Sequence, residues 1–308
     1  MRLGFVGLGN LGAPLAENLL RAGFDLTVCD LDASRGTALL DRGAAWAETP
    51  RLVAAASDTV LTCLPSPAAV AAVVEGGDGV LAGLAPGGTW IDVSTSDRHL
   101  TARLASLAAE RGIAALEAPV TGGVHLAATG EITVIAAGDR EVFETHRPVL
   151  AALGDPVFHV GPLGNAAALK VITNLLALVH LVAAGEALML ARRAGLDLAQ
   201  AFEVMRASSG TSFVLETEGR LILNGSYDVG FGIDLALKDL GLAEELARDT
   251  GVPLELGTLA RRTFERARDS YGAAAPSTMA VKLLEDELET DLRAPGFPAR
   301  LGASVGPT

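Results

Sequence analysis

Three glycines near the start of the chain constrain the fold more than any other feature. They fall in Gly7-Leu8-Gly9-Asn10-Leu11-Gly12, between an apolar strand-like stretch at residues 3–6 and a helix-like stretch from Ala13. The first glycine permits a tight turn, the second lets backbone approach a pyrophosphate, and the third lets the helix pack on the strand. Phosphates placed there would face free N–H groups and the positive end of the helix dipole. The glycine string alone is weak support, but a second strand follows at residues 25–29 and ends in Asp30. An acid about 20 residues beyond the turn is placed to accept hydrogen bonds from ribose hydroxyls. Residues 2–30 therefore read as a βαβ dinucleotide-binding unit. Its candidate cofactor contacts are Gly7, Leu8, Gly9, Asn10, Leu11, Gly12 and Asp30. The Asp30 charge would repel a 2′-phosphate, which favours NAD over NADP; Arg35, close by, works against that preference. A solvated turn aspartate is the competing reading of Asp30.

The alternation continues through the first half. Residues 59–64, 89–93, 114–118, 133–137 and 157–160 read as further strands, separated by alanine- and leucine-rich helical stretches such as 14–22 and 97–110. Strands alternating with helices imply a doubly wound parallel sheet with right-handed crossovers. The pattern changes at Gly161-Pro162-Leu163-Gly164, beyond which helical runs follow at 165–194, 198–207, 235–249 and 253–269. The expected architecture is an α/β Rossmann domain at residues 1–162, an all-α domain at 163–290, and a loose tail at 291–308, richer in proline and glycine.

Composition excludes several classes. Half of the 308 residues are hydrophobic, enough for a substantial core, and the formal charge of −13 argues against nucleic acid as the main partner. The two cysteines, Cys29 and Cys63, form neither a disulfide framework nor a metal-ligand spacing, so no metal is expected. The opening is too short and glycine-rich for a signal peptide, and the most apolar stretch, 171–190, carries Asn174, His180 and Glu186. A cytoplasmic protein with no membrane partner is the expectation.

Only three residues are lysines, at 170, 238 and 282, among 24 lysines and arginines. Arginine is always protonated, whereas lysine can lose its proton when desolvated. Lys170 sits in an otherwise apolar helix entrance, so its ammonium must be paired, or line a cavity with a lowered pKa. Asn174 lies one turn further on, on the same face. That pair suits alcohol oxidation: a lysine near neutrality takes the hydroxyl proton and an amide orients the oxygen. A snorkelling lysine beside a structural asparagine is the alternative.

With these residues in place, the chain resembles the β-hydroxyacid dehydrogenase family, which includes 3-hydroxyisobutyrate dehydrogenases and tartronate semialdehyde reductases. The resemblance covers residues 2–285 and rests on five ordered motifs. They are the glycine turn; Asp92-Val93-Ser94-Thr95; Ala118-Pro119-Val120-Thr121-Gly122-Gly123; Gly164 through Lys170 to Asn174; and residues 231–240 around Lys238. The resemblance implies that Thr95 contacts the cofactor and that Thr121, Gly122 and Gly123 bind a substrate carboxylate through a hydroxyl and turn amides. It also implies that Lys170 is the general acid/base, that Asn174 is its partner, and that Lys238 reaches the cofactor. Leu64 and Pro65, at the end of the strand at 59–64, join the candidate cofactor contacts. The implied reaction is reversible, NAD-dependent hydride transfer between a small 3-hydroxy acid and its 3-oxo acid or semialdehyde.

Departures from the family pattern bear on the substrate. Glu117 replaces a frequent aspartate, Ala166 a frequent glycine and Thr173 a frequent asparagine, while Val124-His125-Leu126 and Glu131 replace small residues and a threonine. His125 is read as a surface or core residue more readily than a pocket one. Ser208-Ser209-Gly210 is either a second substrate loop or a polar helix end. An imine reductase-like or decarboxylating dehydrogenase, and a non-catalytic dinucleotide sensor, are the alternatives; retention of Lys170 counts against the first and the last. The helix from Asn165 is apolar around most of its circumference, which implies a homodimer or homotetramer.

Overall fold

The computed structural model of the chain describes residues 1–302. They divide into two compact units, one ending at Lys170 and one beginning at Val171.

The first unit is built on nine strands: β1 (Arg2–Val6), β2 (Asp25–Cys29), β3 (Ala45–Trp46), β4 (Thr59–Thr62), β5 (Thr89–Asp92), β6 (Ala114–Glu117), β7 (Val120–Thr121), β8 (Thr133–Gly138) and β9 (Val157–His159). Their order is β3-β2-β1-β4-β5-β6-β8-β7, with β9 paired to β8. Pairing is parallel from β3 through β6. Side-chain alternation explains why helices cover both faces. Leu3, Phe5, Leu61 and Ile91 point to one apolar cluster, whereas Val6, Val60 and Trp90 point to another. The first cluster takes in Leu15 and Leu19 from helix Gly12–Arg21; the second takes in Val70, Val74 and Leu104 from helices Pro67–Glu75 and Arg98–Ala109.

The sheet is the expected doubly wound, mostly parallel one, and only at its far edge does β8 run antiparallel to both β6 and β7. A parallel return needs a crossover of a dozen or more residues packed on a sheet face. Residues 118–132 would suffice in number, but β7 takes part of them into the sheet beside β8 and the helix Val124–Thr129 has only six residues, so the chain doubles back.

The second unit is helical. Its core gathers Leu181, Leu188, Phe202, Leu215, Ile222, Leu240 and Phe264. Helix Phe213–Asn224, not expected from the sequence, is started by Ser212, whose hydroxyl accepts from the Leu215 N–H. The first residues of the stretch expected as a loose tail are packed on the helical unit. Leu292 is fully buried, and its N–H donates to Glu285 Oε1 at 2.9 Å. Arg293 pairs with buried Glu285 at 3.0 Å and donates to the Tyr227 hydroxyl. Residues 303–308 of that expected tail lie outside the described residues.

Helix Asn165–Arg193 begins in the first unit and continues into the second. By length and composition it could cross a membrane, yet Ala166 and Ala167 are buried in the first unit, and Leu178, Leu181 and Leu188 lie in the core of the second. It is a core helix. The compact units part at Lys170, eight residues later than the expected boundary at residue 162, because the helix start is bonded to the sheet.

Candidate active site

Strands β2, β1, β4, β5 and β6 lie side by side and parallel, so the residues after their C-termini gather along one edge. The glycine turn follows β1, Asp30 follows β2, Leu64 and Pro65 follow β4, and Thr95 follows β5. Ala118 and Pro119 alone separate β6 from β7, so Thr121, Gly122 and Gly123 come directly beyond the same edge.

The turn needs its glycines for separate reasons. Gly7 has φ +99°, and a Cβ there would sit 2.3 Å from the Cys63 carbonyl oxygen. A Cβ on Gly12 would lie 2.0 Å from the Gly7 carbonyl oxygen. At Gly9 the surroundings are open except for Arg35 Nη1, 3.5 Å away, so nothing within the protein itself demands glycine there. A ligand lying on that backbone would. Helix Gly12–Arg21 has no side-chain cap, in contrast to the helices started by Thr49, Ser66, Asp97 and Asp139. No side chain therefore covers the start of this helix, and the glycine turn leading into it fits a dinucleotide pyrophosphate.

Asp30 is fixed by backbone: Oδ2 accepts from the Leu8 N–H at 2.6 Å and Oδ1 from the Asp32 N–H at 2.9 Å. Each oxygen keeps a lone pair for a ribose hydroxyl. Arg35 is drawn towards Asp32, 3.6 Å away. A network of buried groups joins the loops after β4 and β5. Trp90 Nε1 donates to Thr62 Oγ1 at 3.0 Å, and that hydroxyl donates to Asp92 Oδ1 at 2.8 Å. Ser94 Oγ in turn accepts from the Leu64 N–H at 2.9 Å.

Gly122 and Gly123 have φ of +131° and +93°, positive values that glycine adopts without steric cost. The His125 ring folds back on this turn, with Nδ1 3.2 Å from where a Gly123 Cβ would stand. Glu131 is a surface residue accepting from Thr129 Oγ1. Ser208 to Gly210 form an exposed helix end, with Ser208 Oγ accepting from the Gly210 N–H.

Lys170 is buried, 9% exposed, in the second turn of the long helix. That helix is started from a distance. Glu117, at the end of β6 and 2% exposed, accepts through Oε2 from the Gly164 N–H at 2.8 Å and the Ala166 N–H at 3.2 Å. Burial, with Asp92 opposite it in register on β5, pushes the Glu117 carboxyl up to about 7, against the opposing pull of the amide bonds.

Within the helical unit, Asn174 Nδ2 donates to Asp239 Oδ2 at 2.5 Å. The other Asp239 oxygen lies 2.9 Å from Lys238 Nζ. Asp239 is 1% exposed on helix Ile233–Thr250 and was assigned no role from sequence. The available signal was an acid between Leu237 and Leu240 on the helix's buried face. With its amide nitrogen committed to Asp239, Asn174 turns its oxygen the opposite way as an acceptor.

Residues 2–161 match the NAD-binding domain of 6-phosphogluconate dehydrogenase, and residues 164–284 match the NAD-binding region of NADP-dependent 3-hydroxyisobutyrate dehydrogenase. The chain belongs to the β-hydroxyacid dehydrogenase family. Among its relatives is the 2-(hydroxymethyl)glutarate dehydrogenase of Eubacterium barkeri, 37% identical over 87% of this chain and 89% of that one. Another is the NAD-dependent L-serine dehydrogenase of Pseudomonas aeruginosa, 37% identical over 84% of this chain and 89% of that one. Among solved structures, a 3-hydroxyisobutyrate dehydrogenase from Salmonella typhimurium superposes with a TM-score of 0.85. It is 32% identical and covers 92% of this chain and 99% of its own.

Proposed function

We propose that this β-hydroxyacid dehydrogenase oxidises a small 3-hydroxy acid reversibly to the 3-oxo acid or semialdehyde, using NAD, with Lys170 as general acid/base. The observation that carries the reading is a buried lysine one helical turn ahead of an asparagine whose amide is held by a buried aspartate. The relatives' named substrates, 2-(hydroxymethyl)glutarate and L-serine, are both acids with a hydroxyl on the third carbon.

The glycine turn, Asp30, Leu64, Pro65 and Thr95 would hold the cofactor, and Lys238 is carried as a further contact. Bound NAD supplies the hydride acceptor. The amides of Gly122 and Gly123, with the Thr121 hydroxyl, would hold the substrate carboxylate and so fix which carbon is presented. Neutral Lys170 takes the proton from the substrate hydroxyl as that carbon is oxidised, and its ammonium returns the proton in reduction. Asn174 orients the oxygen.

The test is NADH or NADPH formation on a panel of 3-hydroxy acids, with both cofactors run side by side. In the best pair, Lys170→Ala should lower kcat by about 100- to 10,000-fold while NADH binding survives. Near-normal turnover in that variant would sink the acid/base assignment. Tight cofactor binding without turnover on any acid would favour a sensor. A homodimer or homotetramer is part of the same reading: Ile172, Leu176 and Leu190 stand 48%, 55% and 73% exposed on the long helix. A monomeric mass by light scattering would remove that part.

A further inference from the structure

The helix that carries Lys170 is not started by its own sequence. Its leading residues are Gly164, which has no side chain to offer, and Asn165, whose amide is turned back to the Val160 carbonyl at 2.8 Å. The open N–H groups of the first turn are met instead by Glu117, 47 positions earlier, at the end of β6. A carboxylate on a helix N-terminus gains both from hydrogen bonds and from the dipole. Here it does so from within the sheet, on a strand beside β5, and Asp92 on β5 faces it in register. Asp92 is itself bonded by Thr62 Oγ1 and by the Ser94 N–H, the two groups that order the loops after β4 and β5. The side chain that seats the helix therefore grows from the same sheet edge that bears the candidate cofactor contacts. Oε1 of Glu117 is buried without a hydrogen-bond partner, so the side chain is spent on the helix through one oxygen.

We propose that Glu117 is a positioning residue for Lys170, fixing by its reach from β6 where the second turn of the long helix stands relative to the cofactor edge. The proposal rests on Lys170 being the acid/base. What matters in it is the placement of one acceptor oxygen, and the charge is secondary. Two variants separate these properties. Glu117→Gln keeps an oxygen at the same reach and removes the charge. Glu117→Asp keeps the charge and withdraws the oxygen by about 1.5 Å, one carbon–carbon bond.

The experiment measures kcat and KM for the best 3-hydroxy acid, together with NADH affinity, in the full-length enzyme. Glu117→Gln should retain kcat within about threefold. Glu117→Asp should lose about 10- to 100-fold in kcat with KM and NADH affinity within about twofold, since a misplacement near 1 Å costs on that order. Glu117→Ala takes its place, with the same expected loss, should the aspartate variant not fold. A loss of kcat in Glu117→Gln, or full activity in the shortened variant, would overturn the proposal. Lys170→Ala is run in parallel. If it is inactive while every Glu117 variant is active, only the positioning role fails; if it turns over normally, the acid/base reading fails and takes this inference with it.

Discussion

The cofactor edge and the surroundings of Lys170 and Asn174 are built in opposite ways. At the candidate cofactor edge the elements are backbone: glycines clear space, the helix start carries no side-chain cap, and Asp30 is held by two main-chain donors. Around the proposed catalytic pair, the groups are held by buried carboxylates from distant strands and helices, Glu117 at the helix start and Asp239 at Asn174. A backbone site is specified by a short stretch of chain and fails through steric conflict. A carboxylate-held site is specified by the fold and fails through lost hydrogen bonds or altered charge.

The largest effect expected from this contrast lies within the glycine turn. Gly12→Ala places a methyl 2.0 Å from the Gly7 carbonyl oxygen, a backbone atom with nowhere to go, so both stability and cofactor binding should collapse. Gly9→Ala meets only the end of Arg35, so its melting temperature should stay within about 2 °C of wild type. NADH affinity should nonetheless fall about tenfold or more, because the methyl occupies ground meant for the pyrophosphate. Fluorescence titration beside thermal melts would show the split; wild-type NADH affinity in Gly9→Ala would break the cradle reading.

A smaller effect separates the second region by charge. Glu117 is raised from an ordinary 4.5 to about 7, so the folded state binds its proton more tightly than the unfolded chain does. Its contribution to stability is therefore fully present below about pH 4.5 and is lost as pH rises through about 7, amounting to about 3 kcal/mol in all. Glu117→Gln cannot titrate. Urea unfolding at pH 5 and pH 8 should show the variant gaining on wild type at the higher pH. Parallel pH dependences in the two proteins would show that burial does not hold the carboxyl up.

Legibility in the sequence follows the same division. The glycine turn and Asp30 are contiguous, their steric logic is local, and the strands at their flanks fall within a residue or two of expectation. Lys170 and Asn174 stood out because polar groups on an apolar helix need a reason. The partner of Asn174 lies 65 positions away and that of Gly164 lies 47, and no spacing rule links such residues before the fold exists. The reversal of β8 was hidden for a related reason: a short return helix and a crossover helix have similar composition. The stretch after Thr290 looked loose by its prolines and glycines, yet one buried acid, Glu285, ties down both Leu292 and Arg293.

The finest test of the catalytic half concerns Asp239. It accepts from Asn174 at one oxygen and faces the Lys238 ammonium at 2.9 Å with the other. Asp239→Asn replaces one of those acceptors with an NH₂ group. If the amide oxygen stays with Asn174, a donor is left against the ammonium. If it turns to Lys238, Asn174 loses its acceptor and its own oxygen is no longer held in place. Either way a buried donor goes unmatched, at a cost of about 1–3 kcal/mol. Because Asn174 acts on the reacting oxygen in the proposed mechanism, part of that cost should appear in turnover as a fall of about tenfold in kcat. The variant should bind NADH at the glycine turn as before if Asp239 serves the catalytic pair alone. A loss confined to NADH affinity, with kcat unchanged, would instead assign Asp239 to Lys238 and the cofactor, moving it from one half of the comparison to the other.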